Sequence, residues 1–126
     1  MSDVPVKKNG DRELPIPTEW RAALKQIADA LAAGDFELSS LPQVSQYEDP
    51  DFAKINRANI QDYPDSLAPL DASTWDTSIY RWMEEYWEVL VDLSAGATLT
   101  SDLVLHVKVR KNGQDFIFQP GLVYVP

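Results

Sequence analysis

The densest chemistry in this chain lies between Trp75 and Asp92. Trp75, Tyr80, Trp82, Tyr86 and Trp87 crowd into that stretch, interleaved with Glu84, Glu85, Glu88 and Asp92. Rings with polar edges and carboxylates able to pair with cations are the materials of a protein-binding surface. The rings would serve as anchors that fill pockets, and the carboxylates would steer a basic partner through their field. Trp82, Tyr86, Glu84, Glu85, Glu88 and Asp92 are therefore the candidate partner-binding residues. The competing account is that the rings build a core and the acids form a solvated strand edge that discourages unwanted pairing.

Catalytic alternatives fail on residue counts. The absence of Cys removes disulfides, thiolate zinc, iron–sulfur clusters and cysteine nucleophiles. A single His, His106, rules out mechanisms built on His pairs; strand alternation sets it beside Val104 and Lys108, opposite Leu105 and Val107. The five glycines are too dispersed for a phosphate-cradling loop, and no Gly-x-Ser-x-Gly elbow occurs. Glu48, Asp49 and Asp51 resemble the start of a calcium loop, but Ala53 and Lys54 stand where an oxygen ligand and the turn Gly are needed. No catalytic residue, cofactor or metal ligand is assigned, and binding is favoured over catalysis.

Charge narrows the partner. With 20 acids against 11 bases the net charge is −9, which disfavours nucleic-acid backbones and suits a basic protein. The longest apolar runs, Ala30 to Ala33 and Leu122 to Val125, fall far short of the roughly 20 residues that span a bilayer. The first fifteen residues lack the continuous apolar stretch of a secretory signal, so a cytoplasmic location away from membranes is expected.

Elements must bring these residues to one surface. Residues 1–16 read as a flexible leader, charged and proline-bearing without an apolar period, and residues 17–126 as a single domain. A helix is signalled from Thr18 as cap through Trp20, Leu24, Ile27 and Leu31, stopping at Gly34. A second starts with Asp49 as cap and Pro50 at its first position, turns Phe52, Ile55, Ile60 and Tyr63 inward, and closes at Pro64. Residues 65–76 read as a crossing loop. Residues 77–83 satisfy both periods, with a strand favoured for their β-branched and aromatic content. Strands then follow over Trp87–Leu93, Leu103–Val109 and Phe116–Val125. The last two join through a hairpin turn centred on Asn112-Gly113, and Pro120-Gly121 bends or bulges the final strand. The fold class is α+β, with two N-terminal helices packed on an antiparallel meander of about four strands.

At Trp82, at Trp87 to Leu93, at Ser101 to Leu105 and at Val123 to Pro126 the chain resembles a family of small bacterial domains of unknown function, over roughly residues 17–126. In composition it is similar to immunity proteins that neutralise bacterial toxins. These resemblances imply an acidic interaction module, monomeric or homodimeric, engaging a basic partner. A second reading is a small-ligand or enzymatic pocket between sheet and helices, lined by Trp20, Trp75 and Trp82. A third is a structural domain whose final strand pairs across a symmetry axis.

Overall fold

In the computed structural model, which describes residues 3–126, a short strand β1 (Leu14–Pro15) precedes the helices. The architecture is α+β, but the expected order of two N-terminal helices followed by a meander is corrected: a short strand precedes both helices, and a second, two-stranded ladder is formed by segments that follow them. Two-residue strands carry no periodicity, so hydrophobic patterning is blind to them.

Thr18–Trp20 form a tight 3-10 turn that runs into α1 (Arg21–Ala32). Thr18 does not cap the helix with its side chain; its hydroxyl accepts from the Val4 N–H at 2.7 Å. Leu24, Ile27, Ala28 and Leu31 form the buried stripe. Gly34 ends the helix at φ +89°, with Asp35 N–H donating to Ala30 O and Gly34 N–H to Leu31 O, the Schellman pattern.

α2 (Phe52–Asp62) begins later than expected, because Asp49 caps the preceding turn, accepting from Asp51 N–H at 2.9 Å. Its inward face also differs: Ile55 is exposed and Asn56 is fully buried. That face meets strand backbone, which needs hydrogen-bonding groups rather than hydrocarbon.

The crossing stretch is structured. β2 (Leu67–Ala68) pairs with β5 (Ser94–Ala95), and Asp71 caps a 3-10 turn over Ala72–Asp76 by accepting from Ser73 N–H at 3.0 Å. Asp29, on the outer side of α1, holds this stretch by accepting from Leu70 N–H at 2.8 Å.

Within residues 77–83 the strand forms over four residues: β3 (Ile79–Trp82) pairs with β4 (Trp87–Asp92), β4 with β6 (Val104–Asn112), and β6 with β7 (Asp115–Tyr124). The five-stranded sheet runs β1-β3-β4-β6-β7, all antiparallel. Asn112 pairs with Asp115, so the β6–β7 turn is centred on Gly113-Gln114, one residue beyond the expected Asn-Gly. Gly113 alone takes a positive φ there (+64°), as a II′ turn requires of its first central residue.

One sheet face is packed. Val89, Val91, Leu105, Val107, Val109 and Val123 meet α1 around Trp20, whose ring is edge-on to Tyr80, Trp87 and Phe116 at centroid distances of 5.1, 5.4 and 5.4 Å. Trp20 is fully buried, and among the described residues its Nε1–H has no hydrogen-bond acceptor. The stretch read as a leader lies along this assembly. Lys7 O accepts from Trp87 Nε1 at 2.9 Å, Lys7 N–H donates to the Tyr80 hydroxyl at 2.8 Å, and Ile16 is buried. Attachment through backbone bonds needs no apolar period, which is why composition alone reads this stretch as loose.

Among the described residues no helix is long and apolar enough to cross a membrane.

Candidate functional site

Alternation along the strands turns Ile79, Arg81, Glu88, Leu90, His106, Lys108, Arg110, Ile117 and Gln119 onto the face opposite Trp20. Continued without interruption, the same period would carry Val123 outward and Tyr124 inward. Instead Leu105 pairs with Val123 and Val107 with Pro120, so Gly121 and Leu122 together oppose His106. This bulge, expected at Pro120-Gly121, reverses the facing of the strand's end. Val123 enters the core and Tyr124 arrives beside His106.

The bulge is held from outside by α2. Asn56 donates to Gly121 O at 2.9 Å and accepts from Val123 N–H at 2.7 Å, and Asn59 donates to Val123 O at 2.8 Å. Further along the same edge, Phe118 donates to Gln43 O and accepts from Ser45 N–H. The outer edge of β7 is thus occupied at Phe118, Gly121 and Val123, where the third reading had it pairing with a second copy.

Between the outer sheet face and the start of α2 lies an open groove of about 520 Å³, within the range of small-ligand and side-chain sites. Phe52 stands on the helix side, Pro120, Gly121 and Leu122 supply an apolar floor, and Glu88, His106, Lys108 and Tyr124 come from the sheet. His106 Nε2 lies 2.6 Å from the Tyr124 hydroxyl, with the two rings tilted at 38°. Burial pushes the imidazole below its ordinary 6.5, and nearby Glu88 partly offsets this, so the ring is neutral at neutral pH. The tautomer protonated on Nδ1 directs that N–H toward Glu88 and lets Nε2 accept from Tyr124. The Glu88 to Nδ1 distance is 3.9 Å, beyond a hydrogen bond, so the carboxylate does not clamp the ring as the orienting acid of a catalytic triad does.

Cations line the same face. Glu88 sits in register between Arg81 and Lys108, yet Lys108 bonds to Glu48 at 2.9 Å and Arg110 to Gln119 at 2.9 Å. The hydrogen-bonded Lys108 ammonium holds the Glu48 carboxyl below the usual range. Among the described residues no Lys or Arg nitrogen lies within 4.0 Å of the Glu88 carboxylate, which is left partly exposed at the groove wall.

The six candidate residues separate. Tyr86 and Glu88 share the outer face, where Lys108 and Arg110 lie 5.0 and 5.5 Å from the Tyr86 ring centroid. Glu84 and Glu85 are exposed on the β3–β4 turn, with Glu84 at φ +72°. Trp82 points to the opposite face, against Trp87 at 4.7 Å and under Lys8 at 4.9 Å. Asp92 accepts from the Thr77 hydroxyl, away from the groove. Alternation sets Glu88 and Asp92 on one side of β4, and cross-strand neighbours bring cations to that face, so its charge is mixed. Of the rings that the second reading set around a pocket between sheet and helices, Trp20 is fully buried in the core, and the groove described above lies on the other side of the sheet.

Residue patterning missed Glu48, Phe52, His106, Lys108 and Tyr124 as a group. The usable signal was register: counting back along β6 and β7 from the Gly113 turn and inserting the Pro120-Gly121 bulge sets Tyr124 two residues along the strand from His106, on the same face.

Fold and groove together define a small α+β domain with one sheet face packed and the other open. The chain belongs to the family described as Domain of unknown function (DUF7668), which matches residues 28–126. The matched span begins inside α1 and omits β1 and Trp20, although both contribute to the sheet and its core. No curated protein and no solved structure matches the chain.

Proposed function

We propose that the protein is a non-enzymatic binding module that captures a basic protein segment on the outer face of its sheet. The observation that carries this reading is the Glu88 carboxylate, partly exposed at a groove with an apolar floor and, among the described residues, without a Lys or Arg partner. The net charge of −9 adds long-range attraction for such a partner. Tyr86 and the His106–Tyr124 pair supply aromatic surface beside the carboxylate, while Glu84 and Glu85 on the neighbouring turn act in steering. An immunity-type role, neutralising a basic toxin domain in the cytoplasm, is the form of this reading that the acidic surplus suits best.

The test is fluorescence anisotropy with labelled synthetic peptides of equal length, one series rich in Lys and Arg and one in Asp and Glu. The basic series is expected to bind, more weakly as salt rises, and Glu88→Lys is expected to weaken it by about tenfold or more, the scale of a charge pair lost and reversed. Basic peptides that fail to bind, or that bind Glu88→Lys as well as the original, would overturn the assignment to this face.

A further inference from the structure

We infer that the groove beside α2 receives one guanidinium group, the side chain of an arginine in the basic segment; this rests on the binding function proposed above. Three features of the groove converge on that chemistry. The first is an acceptor with both oxygens to offer. Glu88 stands in register with Arg81 and Lys108 but forms an ion pair with neither, and among the described residues the one Lys, Arg or His nitrogen within 4.0 Å of it is that of the neutral His106. A carboxylate so placed accepts a planar fork bidentately, a geometry an ammonium does not offer.

The second is the character of the walls. Phe52 and Tyr124 present rings on the two sides, and the floor is Pro120, Gly121 and Leu122. Arginine stacks on aromatic faces and is more weakly hydrated than lysine, so it loses less on entering such a site. Cation–ring contact already occurs nearby, where Lys108 and Arg110 lie 5.0 and 5.5 Å from the Tyr86 centroid.

The third is size and charge. The space of about 520 Å³ accommodates a long side chain with part of its backbone. Lys108, the one cation among the described residues that line it, is hydrogen-bonded to Glu48, leaving the charge of Glu88 uncompensated within the groove. An incoming cation completes the balance, whereas a carboxylate or phosphate would meet Glu88 and Glu48 directly.

Because His106 is the only histidine, its imidazole NMR signals report on the groove without assignment ambiguity. Three peptides identical except for a central Arg, Lys or citrulline are titrated into the full chain, with affinities from anisotropy and His106 shifts from NMR. The Arg peptide is expected to bind about fivefold more tightly than Lys and more than tenfold more tightly than citrulline, and to shift His106. Glu88→Gln is expected to erase the Arg preference, and Glu88→Asp to retain part of it if the Gln variant proves unstable. Equal binding of Arg and citrulline, or an unmoved His106 on saturation, would overturn the inference. If basic peptides bind but their affinity depends on Glu84 and Glu85 rather than Glu88, the guanidinium site falls while capture of a basic partner stands. If no basic peptide binds, both fall.

Discussion

Replacing Asn56 by Ala should be among the most damaging single changes outside the apolar core, and should also disturb the groove. Asn56 is fully buried, and its amide closes two bonds on the bulge, to Gly121 O at 2.9 Å and from Val123 N–H at 2.7 Å. Truncation leaves a part-buried carbonyl and a buried N–H without partners. Each such group costs about 1–3 kcal/mol. A total near 3 kcal/mol is a large share of the roughly 5–15 kcal/mol that holds a domain folded. At about 3–4 °C per kcal/mol for a chain of this size, the melting temperature should fall by about 10 °C. Urea melts followed by tryptophan fluorescence give the free energy, and His106 NMR shifts report whether Tyr124 has moved. Asn56→Leu separates packing from hydrogen bonding: it restores volume but neither bond, so it should remain as unstable as Ala. Asn56→Asp keeps the acceptor for Val123 and sets an oxygen against Gly121 O, so it should also be destabilised. A loss under about 0.5 kcal/mol for Ala, or recovery with Leu, would refute the clamp.

Gly121→Ala would bring a Cβ to 3.2 Å from His106 O and 3.3 Å from His106 Cβ, so the neighbours must yield. A loss of about 1–2 kcal/mol with a changed His106 spectrum is expected, and an unchanged melt and spectrum would contradict the packing described. Gly113→Ala meets no steric neighbour but sits at φ +64°, so it should cost about 1 kcal/mol in a urea melt, and Gly113→Asn should recover part of that. His106 titrates below 6.5 in the folded state because burial disfavours its charged form. The unfolded chain therefore binds the proton more readily, and the contribution of His106 to stability is present above pH 6.5 and lost as pH falls from 6.5 through the folded value. NMR titration checks this; Glu88→Gln should lower the folded value further, and a folded value at or above 6.5 would overturn it.

The order of strands from Ile79 onward was legible because alternation is a local property of each segment. β4 spans Trp87–Asp92 and β7 spans Asp115–Tyr124, close to the ranges that patterning predicts, and the bulge falls at the Pro-Gly pair that marks it. The C-terminal end of α1 was legible for the same reason, since Gly34 at φ +89° meets a local need of the backbone. β1, β2 and β5 were not legible, as two-residue ladders exist only where a distant partner supplies the other half. Neither was the attachment of residues 3–16, which rests on bonds to Tyr80, Trp82 and Trp87 far along the chain.

For the candidate site the division is sharper. Strand period correctly assigns Glu88 and His106 to the face opposite Val89 and Val107, but it says nothing about what stands across from them. Register does: it ranges Arg81, Glu88 and Lys108 in one row, and so a run of acids in the chain becomes a mixed surface. The lack of Cys, the single His and the acidic surplus were decided by the sequence alone, and they narrowed the chemistry before any folding was considered. Tertiary structure decided that Trp20 fills the interior, that Trp82 turns away from Glu88, and that Asn56 fastens the bulge. The physical reason is that a side chain's direction follows from its own few residues, whereas its neighbours follow from contacts between segments dozens of residues apart.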